Sequence, residues 1–202
     1  MQHYFIDKEH KKEDYFKYTA EFNNKKYVFN SVDNMFSKDG LDEGTRVLLN
    51  TVLKNYDLSG DVLDLGCGIG SIGIILKSEY PNINCDMVDI NKTALELSRK
   101  NCRENKIDGN TIFHSNLYGD IDKNYDYIVT NPPIKVGKEI LFGVVTGAID
   151  HLKPNGEIVL VIRKNHGQES MKKHMEKIFG NAEVLKRDKG YYIMRSIKKD
   201  TN

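Results

Sequence analysis

Residues 63–74 of this chain read LDLGCGIGSIGI, a short apolar run followed at once by closely spaced glycines. The run DVLDLG, from residue 61, predicts a buried strand, and SIGIILKSEY, from residue 71, predicts a helix. Gly66, Gly68 and Gly70 fall in the turn between them, where glycine permits a tight turn and lets backbone N–H groups approach a ligand. The loop alone leaves the ligand open, because Gly68, Gly70 and Gly73 also match the GxGxxG pattern of dinucleotide-binding loops.

Strand-like and helix-like segments continue to alternate after this loop. The predicted strands are NCDMVDI (84–90), TIFHS (111–115), YDYIVTN (125–131), EIVLVIR (157–163), AEVLKR (182–187) and GYYIMRSI (190–197). The predicted helices are NKTALELSRKNCRENK (91–106, with Asn91 as N-cap), KEILFGVVTGAIDHL (138–152, closed by KPNG) and ESMKKHMEKIF (169–179). Apolar strands separated by helices predict a doubly wound α/β sheet covered on both faces. The last two strands are too close for a crossover, so an antiparallel hairpin is expected there.

The segment before the glycine loop has a different pattern. YTAEF (18–22) and YVFNSV (27–32), joined by NNKK, predict a β-hairpin, and TRVLLNTVLKNY (45–56) predicts a helix. There is no internal repeat or linker-like tract in the 202 residues. We therefore expect a single domain over residues 1–202, with a hairpin extension over about 1–35 and a core over about 36–202.

Composition is that of a soluble globular protein, with 39% hydrophobic and 29% charged residues. No apolar run is long enough for a membrane helix, and the polar start is unlike a signal peptide. The three cysteines form no CxxC pair, which favours a reduced, cytoplasmic compartment. Net charge is only +1, but residues 151–202 contain 12 Lys or Arg against 6 Asp or Glu. That basic segment fits either a phosphate-binding face or an ordinary solvated surface.

Two carboxylates narrow the choice of ligand. Asp64 precedes the first glycine by two residues, where its charge would repel a pyrophosphate and suit a cationic amino group. Asp89 ends the second strand, 19 residues after Gly70, where an acid can accept hydrogen bonds from both ribose hydroxyls. S-adenosylmethionine has an amino-acid end and a ribose but no phosphate, and so fits both acids. Cys67 has no base among its sequence neighbours and is not expected to be a nucleophile.

The stretch VTNPPIKVGK (129–138) stops a predicted strand with Asn131, Pro132 and Pro133. In such folds this strand ends beside the first one, so Asn131 is expected at the ligand crevice. The Asn131 side-chain oxygen and the Pro132 carbonyl could each accept an N–H from a planar NH₂ group and turn its lone pair toward an incoming methyl. Prolines fix the backbone and remove competing N–H donors. The alternative is a rigid turn in which Asn131 caps its own backbone.

Three motifs together resemble those of the class I S-adenosylmethionine-dependent methyltransferases that methylate amino groups. They are LDLGCGIG, the acid Asp89 in VDI, and TNPPI. FSKDGLDEGTRVLL (36–49) and NPPIKVGKE (131–139) are similar, more narrowly, to the small-domain methyltransferases related to the ribosomal RNA guanine-N2 methyltransferase of the small subunit. The resemblance extends from about Tyr27 to about Lys198. It implies a Rossmann-like sheet of seven strands, with the last strand antiparallel and inserted beside the fifth.

The resemblance also implies roles for individual residues. Asn131, Pro132 and Pro133 match the catalytic corner, and Phe36, Ser37, Asp42, Gly44 and Thr45 match an upstream motif at the mouth of the site. The expected cofactor contacts are Thr45, Asp64, Gly66, Cys67, Gly68, Gly70, Asp89, Ile90, Asn116 and Asn131. The expected substrate contacts are Phe36, Ser37, Ile134, Lys135, Lys138, Arg163 and Lys164. Ile134 replaces the aromatic residue of many such enzymes, which argues against adenine N6, and Lys135 replaces a histidine of some relatives.

The predicted function is methyl transfer to an exocyclic amine, with guanine N2 of small-subunit ribosomal RNA as the leading acceptor and RNA as the partner. A protein glutamine amide presents the same NH₂ group and remains an alternative. A cofactor-binding module that only recognises RNA is the non-enzymatic alternative, and a dehydrogenase is disfavoured by Asp64. Arg163, Lys164 and His166 could bind phosphates, whereas Tyr191 and Tyr192 are expected in the strand core. No residue cluster has zinc spacing, so no metal is expected, and oligomeric state is open.

Overall fold

The computed structural model describes residues 14–33, 40–133 and 137–200. Within these ranges it has nine strands and five α-helices. The strands are β1 (Tyr15–Phe22), β2 (Lys25–Val32), β3 (Asp61–Leu65), β4 (Asn84–Asp89), β5 (Thr111–His114), β6 (Tyr125–Thr130), β7 (Leu152–Arg163), β8 (Glu183–Asp188) and β9 (Tyr191–Ile197). The helices are α1 (Glu43–Asn55), α2 (Ser71–Glu79), α3 (Lys92–Glu104), α4 (Lys138–His151) and α5 (Gln168–Phe179).

Seven of the strands form one sheet in the order β5-β4-β3-β6-β7-β9-β8. Strands β3 to β7 are parallel, and β9 lies antiparallel between β7 and β8. The predicted doubly wound sheet, with its last strand antiparallel beside the fifth, is therefore confirmed. This order brings the carboxyl ends of β3, β4 and β6 to a single edge, which is the usual place for a ligand in an open α/β sheet.

Both faces of the sheet are covered, as the near-continuous apolar strands require. On one face, side chains such as Val62 and Val159 pack against α1, α2, α3 and the N-terminal hairpin. On the other face, Leu63 and Ile158 pack against α4 and α5. Successive residues of one strand therefore pack into hydrophobic cores on opposite faces of the sheet. None of the described helices is long and apolar enough to cross a membrane.

Strand β7 begins earlier than the sequence predicts. KPNG was expected to be a loop before a strand at residue 157, but β7 already starts at Leu152, which pairs with Tyr125. Asn155 adopts a positive φ of 61°, a conformation that asparagine tolerates better than most residues. The Asn155 N–H donates to the Lys198 carbonyl, and the Lys198 N–H donates to the Gly156 carbonyl. Pairing with the chain beyond β9 therefore keeps an irregular segment within the sheet.

The N-terminal hairpin is confirmed, with a tighter turn than expected. Asn23 and Asn24 alone join β1 to β2, with φ of 47° and 61°, as a two-residue type I′ turn requires. The hairpin lies outside the large sheet, where Asn101 of α3 and the C-cap residue of that helix, Asn105, hydrogen-bond the backbone of β2. The Asn30 and Val28 N–H groups donate to the side-chain oxygens of Asn101 and Asn105 at 2.7 and 2.8 Å. Two amides one helical turn apart thus replace a neighbouring strand.

Candidate active site

The glycine loop between β3 and α2 has the left-handed backbone that its sequence predicts. Gly66, Gly68 and Gly70 have φ of 71°, 55° and 87°. A Cβ on Gly66 would meet no atom within 4 Å, so this residue faces open space at the carboxyl end of β3. A Cβ on Gly70 would lie 2.6 Å from the Met87 side chain, so close packing of the loop on β4 requires glycine there.

Asp89, at the end of β4, stabilises this loop. Its Oδ2 accepts from the Gly68 N–H and its Oδ1 from the Asn91 N–H, both at 2.9 Å. Burial raises the pKa of the carboxyl above its usual value, while these N–H groups oppose the rise. A carboxylate oxygen can accept more than one hydrogen bond. Asp89 can therefore hold the loop and still accept from the hydroxyls of a ligand beside it.

Asp64 lies beneath the loop and is fully buried. Its Oδ2 accepts from the Gly73 N–H at 2.9 Å, whereas Oδ1 has no hydrogen-bond partner within the described ranges. Burial raises the pKa of this carboxyl to about 7, and the nearby charge of Asp89 adds to the rise. An unpaired buried carboxylate oxygen is costly unless a donor or a cation compensates it. The site thus fits a ligand with a positively charged group, such as the amino-acid end of S-adenosylmethionine.

An open crevice runs along the sheet edge next to the loop, with an empty volume of about 520 Å³, part of it open to solvent. Six of the predicted site residues line it: Gly66, Asp89, Ile90, Asn116, Pro132 and Pro133. Ser115, Leu117 and Leu141 complete much of its wall and were not predicted from the sequence. The lining is mostly apolar, with the polar side chains of Asp89 and Asn116 among it, which suits a nucleoside.

Cys67 turns its side chain away from this crevice. It is buried in the core, with Sγ 3.7 Å from the Ser98 hydroxyl, and burial raises the pKa of its thiol well above the usual value. Its backbone N–H already donates to the Val88 carbonyl. A raised thiol pKa disfavours the thiolate, which is the nucleophilic form of cysteine.

Asn131 follows β6, and its side chain bonds the first turn of α1. Its Nδ2 donates to the Asp42 carboxylate and to the Thr45 hydroxyl oxygen, each at 2.9 Å. An ionised carboxylate has no proton to donate, so the nitrogen of the Asn131 amide must face α1. The amide carbonyl is then directed away from α1, and none of the residues that the structure describes donates to it. Thr45, which was predicted to contact the cofactor, lies against Asn131.

Asp42 has two roles at this point. It is the N-cap of α1, where its Oδ2 accepts from the Thr45 N–H at 2.9 Å, and the same oxygen accepts from Asn131. Helix capping and side-chain orientation therefore depend on one atom.

A second depression lies on the β7 side of Asn131. Its walls are Asn131, Pro132, Leu141, Arg163, His166 and Tyr191, above a floor of Val161 and Ile162. It shares Pro132 and Leu141 with the crevice. The Arg163 guanidinium lies 5.8 Å from the centre of the Tyr191 ring. Tyr191 was predicted in the strand core, but it is only partly buried and lines this depression.

The family model for the methyltransferase small domain matches residues 26–195. The chain belongs to this family. It is an S-adenosylmethionine-dependent methyltransferase, so the crevice and the unpaired Asp64 oxygen have a ligand that fits them.

Individual relatives agree with the family assignment. The ribosomal RNA small subunit methyltransferase C of Erwinia tasmaniensis is 33% identical over 168 residues, which are 81% of this chain and 47% of that protein. The uncharacterized protein YbxB of Bacillus subtilis (strain 168) is 34% identical over 199 residues, 98% of both chains. The T. thermophilus 16S rRNA N2 methyltransferase (RsmC), in complex with AdoMet and guanosine, superposes with a TM-score of 0.83 at 23% identity, covering 92% of this chain and 51% of that one. This methyltransferase spans about half the length of the methyltransferase C relatives that it matches.

The remaining predicted residues of the methyltransferase lie at the ends of elements or outside the described ranges. Arg163 is exposed at the end of β7, Lys164 is exposed directly after it, and Lys138 is exposed at the start of α4. Phe36, Ser37, Ile134 and Lys135 lie outside the described residues. Among the residues that are described, no group of three or more His, Cys, Asp or Glu could hold a metal ion. Tyr191 could have been suspected from sequence alone, because it opens a strand at the same sheet edge as Arg163.

Proposed function

We propose that this methyltransferase methylates the exocyclic amino group of guanine, N2, in ribosomal RNA of the small subunit. The observation that supports this most directly is the fixed direction of the Asn131 amide. Asp42 and Thr45 hold the amide nitrogen of Asn131. The side chain therefore offers its oxygen, and not an N–H, to a substrate bound in the second depression. An NH₂ group is the complementary partner of such an oxygen.

The chemistry that these residues perform is mostly orientation. The lone pair of an exocyclic amine is delocalised into its ring, so the amine is a poor nucleophile until it is turned and pyramidalised. Asn131 Oδ1 and the Pro132 carbonyl would accept the two N–H bonds and aim the lone pair at the crevice. Neither proline supplies a competing N–H. Alignment of this kind contributes up to roughly 7–11 kcal/mol to a barrier reduction.

Bound S-adenosylmethionine supplies a methyl group bonded to a positively charged sulfur. The neutral thioether that remains after transfer is a good leaving group. On the protein side, Gly66, Asp89, Ile90 and Asn116 would hold the nucleoside part in the crevice that they line. Asp64 would accept from the amino end, since its Oδ1 has no partner among the described residues. Gly68, Gly70 and Cys67 act through the loop backbone that positions these groups.

Two observations support RNA as the acceptor. Relatives matching most of the chain are named ribosomal RNA small subunit methyltransferase C. The second depression is also bordered by Arg163 and His166, with Lys164 beside them, whose chemistry suits phosphates. A glutamine amide would present the same NH₂ group but has no anion for these residues to bind.

The test is methyl transfer from radiolabelled S-adenosylmethionine to RNA and protein extracted from a strain that lacks this chain. Purified wild type is compared with Asn131→Ala, and the labelled RNA is digested to nucleosides. We expect label in small-subunit RNA as N2-methylguanosine with the wild type only. Label confined to protein would replace the RNA proposal with the glutamine one, and label at another nucleoside position would remove the guanine assignment.

A further inference from the structure

Two arginine–tyrosine pairs lie at the sheet edge next to the second depression. Arg163 ends β7 and is opposite Tyr191 in the β7–β9 register, with 5.8 Å between guanidinium and ring centre. Arg187, near the end of β8, is opposite Tyr192 and lies 5.4 Å from the centre of that ring. Both distances are within the range of cation–π attraction. We call Arg163, Lys164, Arg187, Tyr191 and Tyr192 the Arg–Tyr edge.

The Arg–Tyr edge continues directly from Asn131. Thr130 pairs with Leu160, so Asn131 is level with Val161, and Arg163 lies two residues further along β7. Two residues of a strand span about 7 Å, which places Arg163 above the second depression that it lines. We call this opening the acceptor depression, because the proposed methyl acceptor enters it. Arg187 lies two strands beyond β7, about 10 Å across the sheet. Tyr191 and Tyr192 are consecutive in β9 and belong to the packing on opposite faces of the sheet, so the Arg163 and Arg187 pairs border the edge from opposite faces. The positive groups are therefore spaced along the edge and not clustered at one point.

The cations of the Arg–Tyr edge lack carboxylate partners. In the described part of the chain, Arg163, Lys164 and Arg187 make no ion pair, and neither does Asp188, which is opposite Tyr191 in register. Lys123 and Lys153 at the other edge of the sheet each bridge two aspartates, and Arg195 contacts Glu157 and Glu183. A guanidinium held on an aromatic ring keeps its N–H donors free and loses less side-chain entropy when it binds an anion.

We infer that the Arg–Tyr edge binds the phosphates of the RNA strand that carries the acceptor base, so that the strand runs from β6 over β7 and β9 toward β8. This inference rests on the proposed function. The strand must be unpaired locally, because an acceptor base enters the depression beside Asn131 only when it is out of its stack. Tyr191 and Tyr192 are each partly buried beside an exposed arginine, and aromatic rings interleaved with cations are typical of surfaces that bind single strands.

The test measures the affinity of the protein for a short, guanine-containing, fluorescein-labelled single-stranded RNA by fluorescence anisotropy over a salt series. Arg163→Gln and Arg187→Gln should each weaken binding about tenfold near physiological salt, as expected for loss of one charge-assisted contact. Each should also reduce the slope of log affinity against log salt by about 0.7. Arg103→Gln is the matched control, because Arg103 is exposed in the last turn of α3 and loses the same charge.

The tyrosines are tested separately from the charges. Tyr191→Leu should weaken RNA binding several-fold, and Tyr191→Phe, which keeps the ring under Arg163, should bind like the wild type. At saturating RNA the kcat of Arg187→Gln should stay at the wild-type value while its KM rises.

The outcomes separate this inference from the proposed function. RNA affinities equal to the wild type in Arg163→Gln and Arg187→Gln would overturn the inference and leave the proposed function standing. Equal losses in Arg103→Gln would also overturn it, since binding would then depend on total charge alone. If the wild type bound no RNA at all throughout the salt series, both the proposed function and this inference would be overturned.

Discussion

The direction of the Asn131 side-chain amide depends on two hydrogen-bond acceptors at the start of α1, Asp42 and Thr45. They lie 89 and 86 residues from Asn131 in the sequence. The motif TNPPI identified Asn131 as a candidate from local sequence alone. Its contact with Asp42 was not predicted, because a single sequence gives no signal for which loop meets which helix. The same limit explains why Thr45 was assigned to the cofactor and is found against Asn131. The cofactor role of Thr45 stays a prediction.

Replacing Asn131 itself should separate turnover from cofactor binding. We expect Asn131→Ala to lower kcat on the order of 10²–10³, as does loss of one preorganised hydrogen-bonding group in other enzymes. Calorimetry should give a cofactor Kd within about twofold of the wild type, which also serves as the folding control. Unchanged turnover would contradict the role proposed for Asn131.

A milder change tests orientation alone. Thr45→Val removes one of the two acceptors for Asn131 Nδ2 and keeps the shape of the side chain. We expect kcat to fall roughly 3- to 10-fold, the equivalent of one net hydrogen bond. Thr45→Ser keeps the hydroxyl and should keep kcat. A weaker cofactor affinity in Thr45→Val, with kcat unchanged, would instead support direct contact with the cofactor.

Asp64 should make both stability and cofactor affinity depend on pH. Its pKa is raised from 3.8 to about 7 in the folded protein, so the protonated form stabilises the ligand-free fold. That stabilisation is complete below the unfolded value and is lost as pH rises through the folded one. Relative to Asp64→Asn, the wild type should therefore lose stability between about pH 4 and 7, with a limiting slope of about 1.4 kcal/mol per pH unit. Urea unfolding at a series of pH values measures this difference.

A cation bound next to Asp64 favours its ionised form, so cofactor binding should release a proton in the same range. Wild-type affinity should rise as pH increases toward about 7, by up to about tenfold per unit. Asp64→Asn should bind more weakly and with little pH dependence. Calorimetry in two buffers of different ionisation enthalpy would detect the proton, and its absence would argue against contact between Asp64 and the amino end.

At the scale of elements, sequence patterns predicted each strand and helix of the core because burial on both faces leaves long apolar runs. The exceptions depend on long-range pairing. Strand β7 extends back to Leu152 because Asn155 and Gly156 bond Lys198, which local patterns do not reveal. The hairpin was predicted from its alternation, but its attachment through two asparagines of α3 was not, since neither asparagine is unusual in a helix of that composition.

Asn101 should be the more important of these two asparagines. It is fully buried, accepts from the Asn30 backbone, and donates to the carbonyls of Asn30 and of Ile69 in the glycine loop. Asn101→Leu leaves these groups unpaired and should lower the free energy of unfolding by about 3 kcal/mol or more. Asn50→Leu, an exposed position in α1, should change it by less than about 0.5 kcal/mol. Similar urea midpoints for the two variants would contradict this view of the hairpin.

At the scale of the whole molecule, the crevice and the acceptor depression are distinct openings on one sheet edge. The fold and the crevice residues were accessible from sequence because the glycine loop, Asp89 and Pro132 all lie at or just beyond the carboxyl ends of strands that meet at one edge. The acceptor depression was less accessible, since it also needs Tyr191 from β9, which a reversed strand brings beside β7. Antiparallel insertion places the amino end of β9 at an edge where parallel strands place their carboxyl ends.

The two openings share only the wall formed by Pro132 and Leu141 among the residues that line them. Neither ligand therefore has to pass through the opening of the other to arrive or to leave. We expect random-order kinetics, in which enzyme loaded with either partner can bind the second. S-adenosylhomocysteine should then inhibit competitively against the methyl donor and noncompetitively against RNA at subsaturating donor, and RNA should bind the donor-free protein. A compulsory order would mean that one ligand completes the opening for the other, and RNA affinity measured with and without the donor would show it.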